Sequence, residues 1–172
     1  MAPAAFASGG EEIQLRTAVA AKVQYTGAMR TFTLREAQSM LPVLESLLRK
    51  SMECKERLEE IDQEFSALGE RIFLNGGTLV DLRGLRERKA ERDRAADLAK
   101  DTLAEIDAIG VQVKDLESGL LDFPCMHNEE VILLCWKMGE PTITHYHGTE
   151  EGFAGRRPIE EIFPRQGSDS IQ

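Results

Sequence analysis

The sequence predicts an α+β fold, a long antiparallel helical hairpin leading into a small four-stranded antiparallel β-meander. Three observations carry that prediction. Apolar residues recur at three- and four-residue steps from Leu44 to Ile106, and Asn75-Gly76-Gly77 interrupts that run. Past Gly110 the apolar period shortens to two, with turn residues at close intervals.

Thr33 and Glu36 have the spacing of a capping box, in which each side chain satisfies the other's backbone N–H. They open a short helix over Leu34 to Met40, and Pro42 then suits the first turn of a second helix. Leu44, Leu48, Met52, Leu58, Ile61, Phe65, Leu68 and Ile72 line one face of that second helix. After the glycine turn, Thr78 with Asp81 caps the returning helix, whose apolar stripe is Leu79, Leu82, Leu85, Ala96, Ala99, Leu103 and Ile106. Between Arg86 and Arg94 the stripe thins into Lys89 and Arg92, which predicts looser pairing there. Gly110 closes the helix where glycine is preferred.

The expected strands are Val111–Lys114, Leu120–Phe123, Val131–Trp136 and Thr142–His147. Glu117-Ser118-Gly119, His127-Asn128-Glu129 and Gly139-Glu140-Pro141 form the turns, and Pro124 is expected to stop the second strand. Val131–Trp136 is apolar on both faces and so belongs between the helices and another surface. The organisation is an alanine-rich, variable extension over 1–28 and a single domain over 29–160. Within the ordered part, the hairpin spans 34–109, the meander 111–147 and a C-terminal segment 148–164, before a flexible tail over 165–172. Met29, just before the domain, is a candidate native start.

Composition narrows the function classes. The formal net charge of −9 disfavours phosphate backbones, so no nucleic acid is expected. The basic run from Arg83 to Arg94 is interleaved with Glu87, Glu91 and Asp93 and reads as a solvated helix face. Three scattered cysteines make no disulfide framework and fit a reducing compartment. With no long apolar run, no membrane span is expected, and the predicted location is cytoplasmic.

Three constellations could carry chemistry. Cys125, His127, Cys135, His145 and His147 contain the residue types zinc takes, and His145 and His147 share a strand face. The metal candidates are therefore His147, His145 and Cys135. Their spacing matches no zinc finger or ribbon, and the competing reading is a buried thiol with surface or hydrogen-bonded histidines. Asp122, Glu140, His147 and Arg156 combine proton-transfer groups with an anion-binding arginine. Against this, Glu140 in a turn ordinarily faces water. Gly152-Phe153-Ala154-Gly155-Arg156-Arg157-Pro158 lacks the order of a phosphate loop. It reads as a segment folding back over the sheet, anchored by Phe153 and Ile159.

From Phe32 to Ile159 the chain resembles an uncharacterised, mainly bacterial family, domain of unknown function 2203. The resemblance rests on Phe32-Thr33-Leu34, Glu36-Ala37 and Leu41-Pro42 at the start, then Gly119-Leu120, Asp122-Phe123-Pro124, Leu134-Cys135-Trp136 and Gly139-Glu140. It ends on His147 and the run Gly152-Phe153-Ala154-Gly155-Arg156 with Pro158. Tyr146 stands where the family carries tryptophan and Cys125 where it carries a small residue, while His145 lies outside the motif. The resemblance implies a kind of domain rather than a reaction. It leaves Asp122, Trp136, Glu140, His147 and Arg156 as ligand-binding candidates. Two functions follow as expectations. The first is an interaction module that forms a homo-oligomer through its helical arm. The alternative is a small-ligand- or metal-binding enzyme, with its site on the meander.

Overall fold

The capping box at Thr33 forms as the sequence requires. The Glu36 N–H donates to Thr33 Oγ1 at 3.2 Å, and the Thr33 N–H donates to Glu36 Oε2 at 2.8 Å. Helix α1 that follows runs unbroken from Leu34 to Leu74 in the computed structural model, which describes residues 30–164. The extension expected over 1–28, Met29 and the tail over 165–172 lie outside the described residues.

The expected division into a short helix and a second helix beginning at Pro42 is therefore corrected. Pro42 sits inside α1. An interior proline costs about 3 kcal/mol through its missing N–H and its ring's clash with the preceding turn. Ala37, Leu41, Leu44 and Leu48 straddle it and are all buried, so core packing on both sides offsets that cost.

Helix α2 runs from Leu82 to Ile109 and returns antiparallel to α1. Its N-cap is Asp81, whose carboxylate accepts the Arg83 N–H at 3.0 Å. The helix thus begins later than a Thr78 cap would start it, and Leu79 lies in the turn, fully exposed, rather than on the apolar stripe. Gly110 ends α2 at φ +98°, the left-handed geometry of a helix C-cap. Where the stripe thins, charge replaces it: Arg57 meets Glu91 at 2.6 Å and Arg88 meets Glu64 at 2.8 Å across the helices, and Arg92 pairs with Asp62.

Five antiparallel strands follow in the order β1-β2-β3-β4-β5, one more than expected. They are β1 Gln112–Asp115, β2 Leu120–His127, β3 Glu130–Lys137, β4 His145–Gly148 and β5 Arg157–Pro158. The added strand is two residues of the C-terminal segment paired to β4, too short to show a period. Pro124 does not stop β2. Its C=O accepts the Phe32 N–H at 2.7 Å, on the edge beyond the end of β1. A strand residue's N–H and C=O point to the same side, so proline's missing donor faces that edge and removes no bond to β3.

The sheet's two faces differ sharply. Leu121, Phe123, Cys125, Leu134, Trp136 and Tyr146 join Ala37, Leu41, Leu44, Leu48 and Ile106 in the hydrophobic core beneath the base of the arm. The other face carries Asp122, Leu133, Cys135 and His147, and these too are buried. Further out, the arm has no such support: no residue from Asp62 through Asp101 is buried.

Candidate functional site

Strand register explains the cluster on the outer face. Gln112, Asp122, Cys135 and His145 are direct neighbours across four strands, and Leu133 pairs with His147. Residues paired in this way share a face, and residues two apart on one strand do too. Asp122, Cys135 and His147 therefore converge, with one ligand-type atom from each lying within 4.8 Å of the others.

His147 is held at both ring nitrogens. Nδ1 lies 2.8 Å from the Gly148 carbonyl oxygen, and Nε2 lies 3.2 Å from Asp122 Oδ2. Both neighbours accept, so a proton on each nitrogen satisfies them, and the Asp122 carboxylate accordingly raises the imidazole above its ordinary value. Burial, reinforced by the Asp122 charge, pushes the Cys135 thiol up to about 12, so in this state the sulfur keeps its proton. Lys114 Nζ stands 3.7 Å from Asp122 Oδ2. The other carboxylate oxygen, Oδ1, is buried without a hydrogen-bond partner.

A second group lies beside the first. Arg156 Nη2 donates to both Glu140 carboxylate oxygens, at 3.0 and 3.1 Å, and is 3.4 Å from the Cys135 carbonyl oxygen. The guanidinium stacks 4.7 Å over the Phe153 ring, and its Nε is buried without a partner. Glu140 also accepts the Lys137 N–H at 3.0 Å, so this turn carboxylate is tied at two points rather than free in water. Asp122, Glu140, His147 and Arg156 thus form two ion pairs, Asp122–His147 near the Cys135 sulfur and Glu140–Arg156 beside its carbonyl oxygen.

The remaining candidates lie elsewhere. Trp136 is in the core on the helix side, its indole N–H donating to the Glu140 carbonyl oxygen at 2.8 Å, so it supports the Glu140 turn from behind. Cys125 is in the same core, and burial raises its thiol. His127 packs edge-on to Phe163 at 5.5 Å. His145 shares the outer face, but its Nδ1 is 2.8 Å from Thr144 Oγ1 and it stands outside the three-residue group. Of the two apolar anchors expected in the C-terminal segment, Ile159 is buried in the core, whereas Phe153 is half-exposed and underlies Arg156.

Sequence reasoning grouped Asp122 with His147 for proton transfer but not as a metal ligand, and it did not single out Lys114. The alternation Gln112-x-Lys114 puts both on one face of β1. Only the pairing of Gln112 with Asp122 shows which face that is.

A family model described as an uncharacterized conserved protein, DUF2203, matches residues 30–159. The chain belongs to the DUF2203 family. The match spans the base of the arm, the arm itself, the sheet and both ion pairs, so the DUF2203 unit and the structural domain nearly coincide. No match was found among curated proteins or among solved structures. Among the described residues no helix is long and apolar enough to cross a membrane.

Proposed function

We propose that the chain is an interaction module that self-associates through the outer half of its helical arm, with the sheet as a rigid base. One observation carries this reading: from Asp62 through Asp101 the arm buries no residue, yet it keeps its apolar stripe. Phe73, Leu74, Leu79 and Leu82 at the tip are 85%, 78%, 101% and 64% exposed. Phe65, Leu68, Ile72 and Leu85 line a groove of about 510 Å³ just below them. Apolar surface gathered at one place marks an association site.

A second copy is the occupant that charge favours. The first half of α2 is rich in arginine, including Arg83, Arg86 and Arg94, while the second half of α1 is acidic, including Glu56, Glu59 and Glu70. Two arms side by side, related by a two-fold axis, set the α1 of each against the α2 of the other. Sedimentation of the full chain over a wide concentration range tests this. A dimer or higher form is expected, converted to monomer by Phe73→Glu combined with Leu79→Glu. A monomer at high concentration would sink the proposal.

A second reading is a small-ligand- or metal-binding enzyme on the sheet, favoured by the convergence of the Asp122–His147 and Glu140–Arg156 pairs around Cys135. Its test is His147→Ala. Loss of ligand binding in a chain that keeps its fold supports this reading, and unfolding assigns His147 a structural role.

A further inference from the structure

We infer that Asp122, Cys135 and His147 form a binding site for a divalent transition-metal ion, zinc being the one their chemistry fits best. The inference is independent of the arm and of any reaction on the sheet. The donor set is one carboxylate oxygen, one sulfur and one imidazole nitrogen, a mixture that suits zinc or cobalt and excludes magnesium and calcium. With zinc bonds of about 2.0–2.3 Å, tetrahedral ligands stand roughly 3.3–3.7 Å apart. The 3.2 Å between Asp122 Oδ2 and His147 Nε2 is already close to that separation, and all three ligand atoms fall within 4.8 Å.

Two further observations point to a cation at this place. Asp122 is 1% exposed, and its Oδ1 has no donor, which leaves a buried acceptor unsatisfied at substantial cost. His147 directs Nδ1 at the Gly148 carbonyl, the outer contact that fixes the tautomer of metal-ligating histidines and leaves Nε2 for the metal. Metal binding balances simply. The cation replaces the Cys135 thiol proton and any proton on Nε2, both of which leave to solvent, and no electron moves. Lys114 is the competing cation. Its side chain is 40% exposed on a flexible stem and can turn to solvent when the ion enters. Three protein ligands leave a fourth position for an oxygen donor.

The experiment uses untagged full-length chain purified without chelator. Elemental analysis should find close to one zinc per chain. After exchange, Co²⁺ should give the near-ultraviolet sulfur-to-cobalt absorption of a bound thiolate. Cys135→Ser should abolish that absorption and Cys125→Ala should keep it, while His147→Gln, which removes a ligand, should weaken zinc binding by more than the roughly 100-fold that marks the upper end for disturbing a ligand's outer partner. If Cys135→Ser fails to fold, an absorption that survives both Cys125→Ala and Cys54→Ala still assigns the thiolate to Cys135, the remaining free cysteine. The inference is overturned by a folded chain in which zinc is well below stoichiometry, Zn²⁺ does not raise the Tm, and Co²⁺ gives no thiolate absorption. Bound metal without turnover on any substrate would uphold this site and count against the enzymatic reading alone.

Discussion

Replacing Gly119 by alanine tests how tightly the β1–β2 turn fixes the sheet. Gly119 sits at φ +66°, and a Cβ there would stand 2.6 Å from Met138 Cβ. Two costs add. The left-handed backbone costs a non-glycine residue roughly 1–2 kcal/mol, and forcing an extra carbon into a filled space adds about 1–3 kcal/mol. The obstructing atom is attached directly to the Met138 backbone, so no rotamer change relieves the clash, and the Met138 N–H already donates to the Gly119 C=O at 3.0 Å. The sum is about 2–5 kcal/mol. Gly139 supplies the control. It has φ +94° but no atom within 4 Å of its would-be Cβ, so Gly139→Ala carries the backbone cost alone. Urea unfolding with an unchanged m-value should show Gly119→Ala less stable than Gly139→Ala by at least 1 kcal/mol or so. Equal losses in the two variants would refute the steric argument, and with it the idea that Gly119 fixes β2 against β3 and so Asp122 against Cys135.

Further outcomes follow from single contacts. Leu44 is fully buried in the core, so Leu44→Ala should cost about 2–5 kcal/mol in the same assay, and a loss under 1 kcal/mol would contradict its place there. Glu129 is exposed at φ +67° in a two-residue hairpin turn, so Glu129→Gly should stabilise by roughly 0.5–1 kcal/mol rather than weaken the fold. Thr33→Ala removes the α1 cap and should lower stability by about 1 kcal/mol, with the helix N-terminus exchanging its amides faster. The Glu36 carboxyl is held below its usual value, chiefly by the Thr33 backbone N–H. A lowered folded value means stabilisation present above the unfolded pKa and lost as pH falls through the folded one. Glu36→Gln should therefore flatten part of the acid limb of stability against pH, and an unchanged limb would show that the cap does not contribute.

The parts of this fold legible in the sequence are those with a long period or a local cap. Thr33 and Glu36 announced the start of α1, Gly110 the end of α2, and the change of period at Val111 the sheet. The misplaced boundaries involve residues whose local preference was overridden by what surrounds them. Pro42 is carried through a helix by buried neighbours on both sides, and Pro124 is carried through a strand because its missing donor faces an open edge. Leu79 mimicked the stripe because turns and helices can both carry a leucine at the right spacing. The candidate site was legible as residue types and not as a partnership. Asp122 and His147 are far apart in sequence, and their contact depends on two strand registers that no short motif encodes. Trp136 and Cys135 are adjacent in the chain yet lie on opposite faces, so a motif read as a string merged a core residue with a site residue.

The uneven support along the arm sets how the molecule opens. At the base, α1 and Ile106 of α2 are locked to the sheet by a shared apolar core. Further out the two helices hold each other by a partly wet stripe and by ion pairs such as Arg57–Glu91 and Arg88–Glu64. Exposed ion pairs contribute roughly 0–1 kcal/mol each, so in a lone chain the outer turns open locally at far lower free energy than the base. Amide exchange along α1 should therefore form a gradient, slow around Leu44 and Leu48 and fast beyond Ile61. Elevated salt should steepen it by screening the charged middle. A second arm laid against the outer turns would flatten it, so the exchange profile of one helix reports both how the chain breathes and whether it is alone.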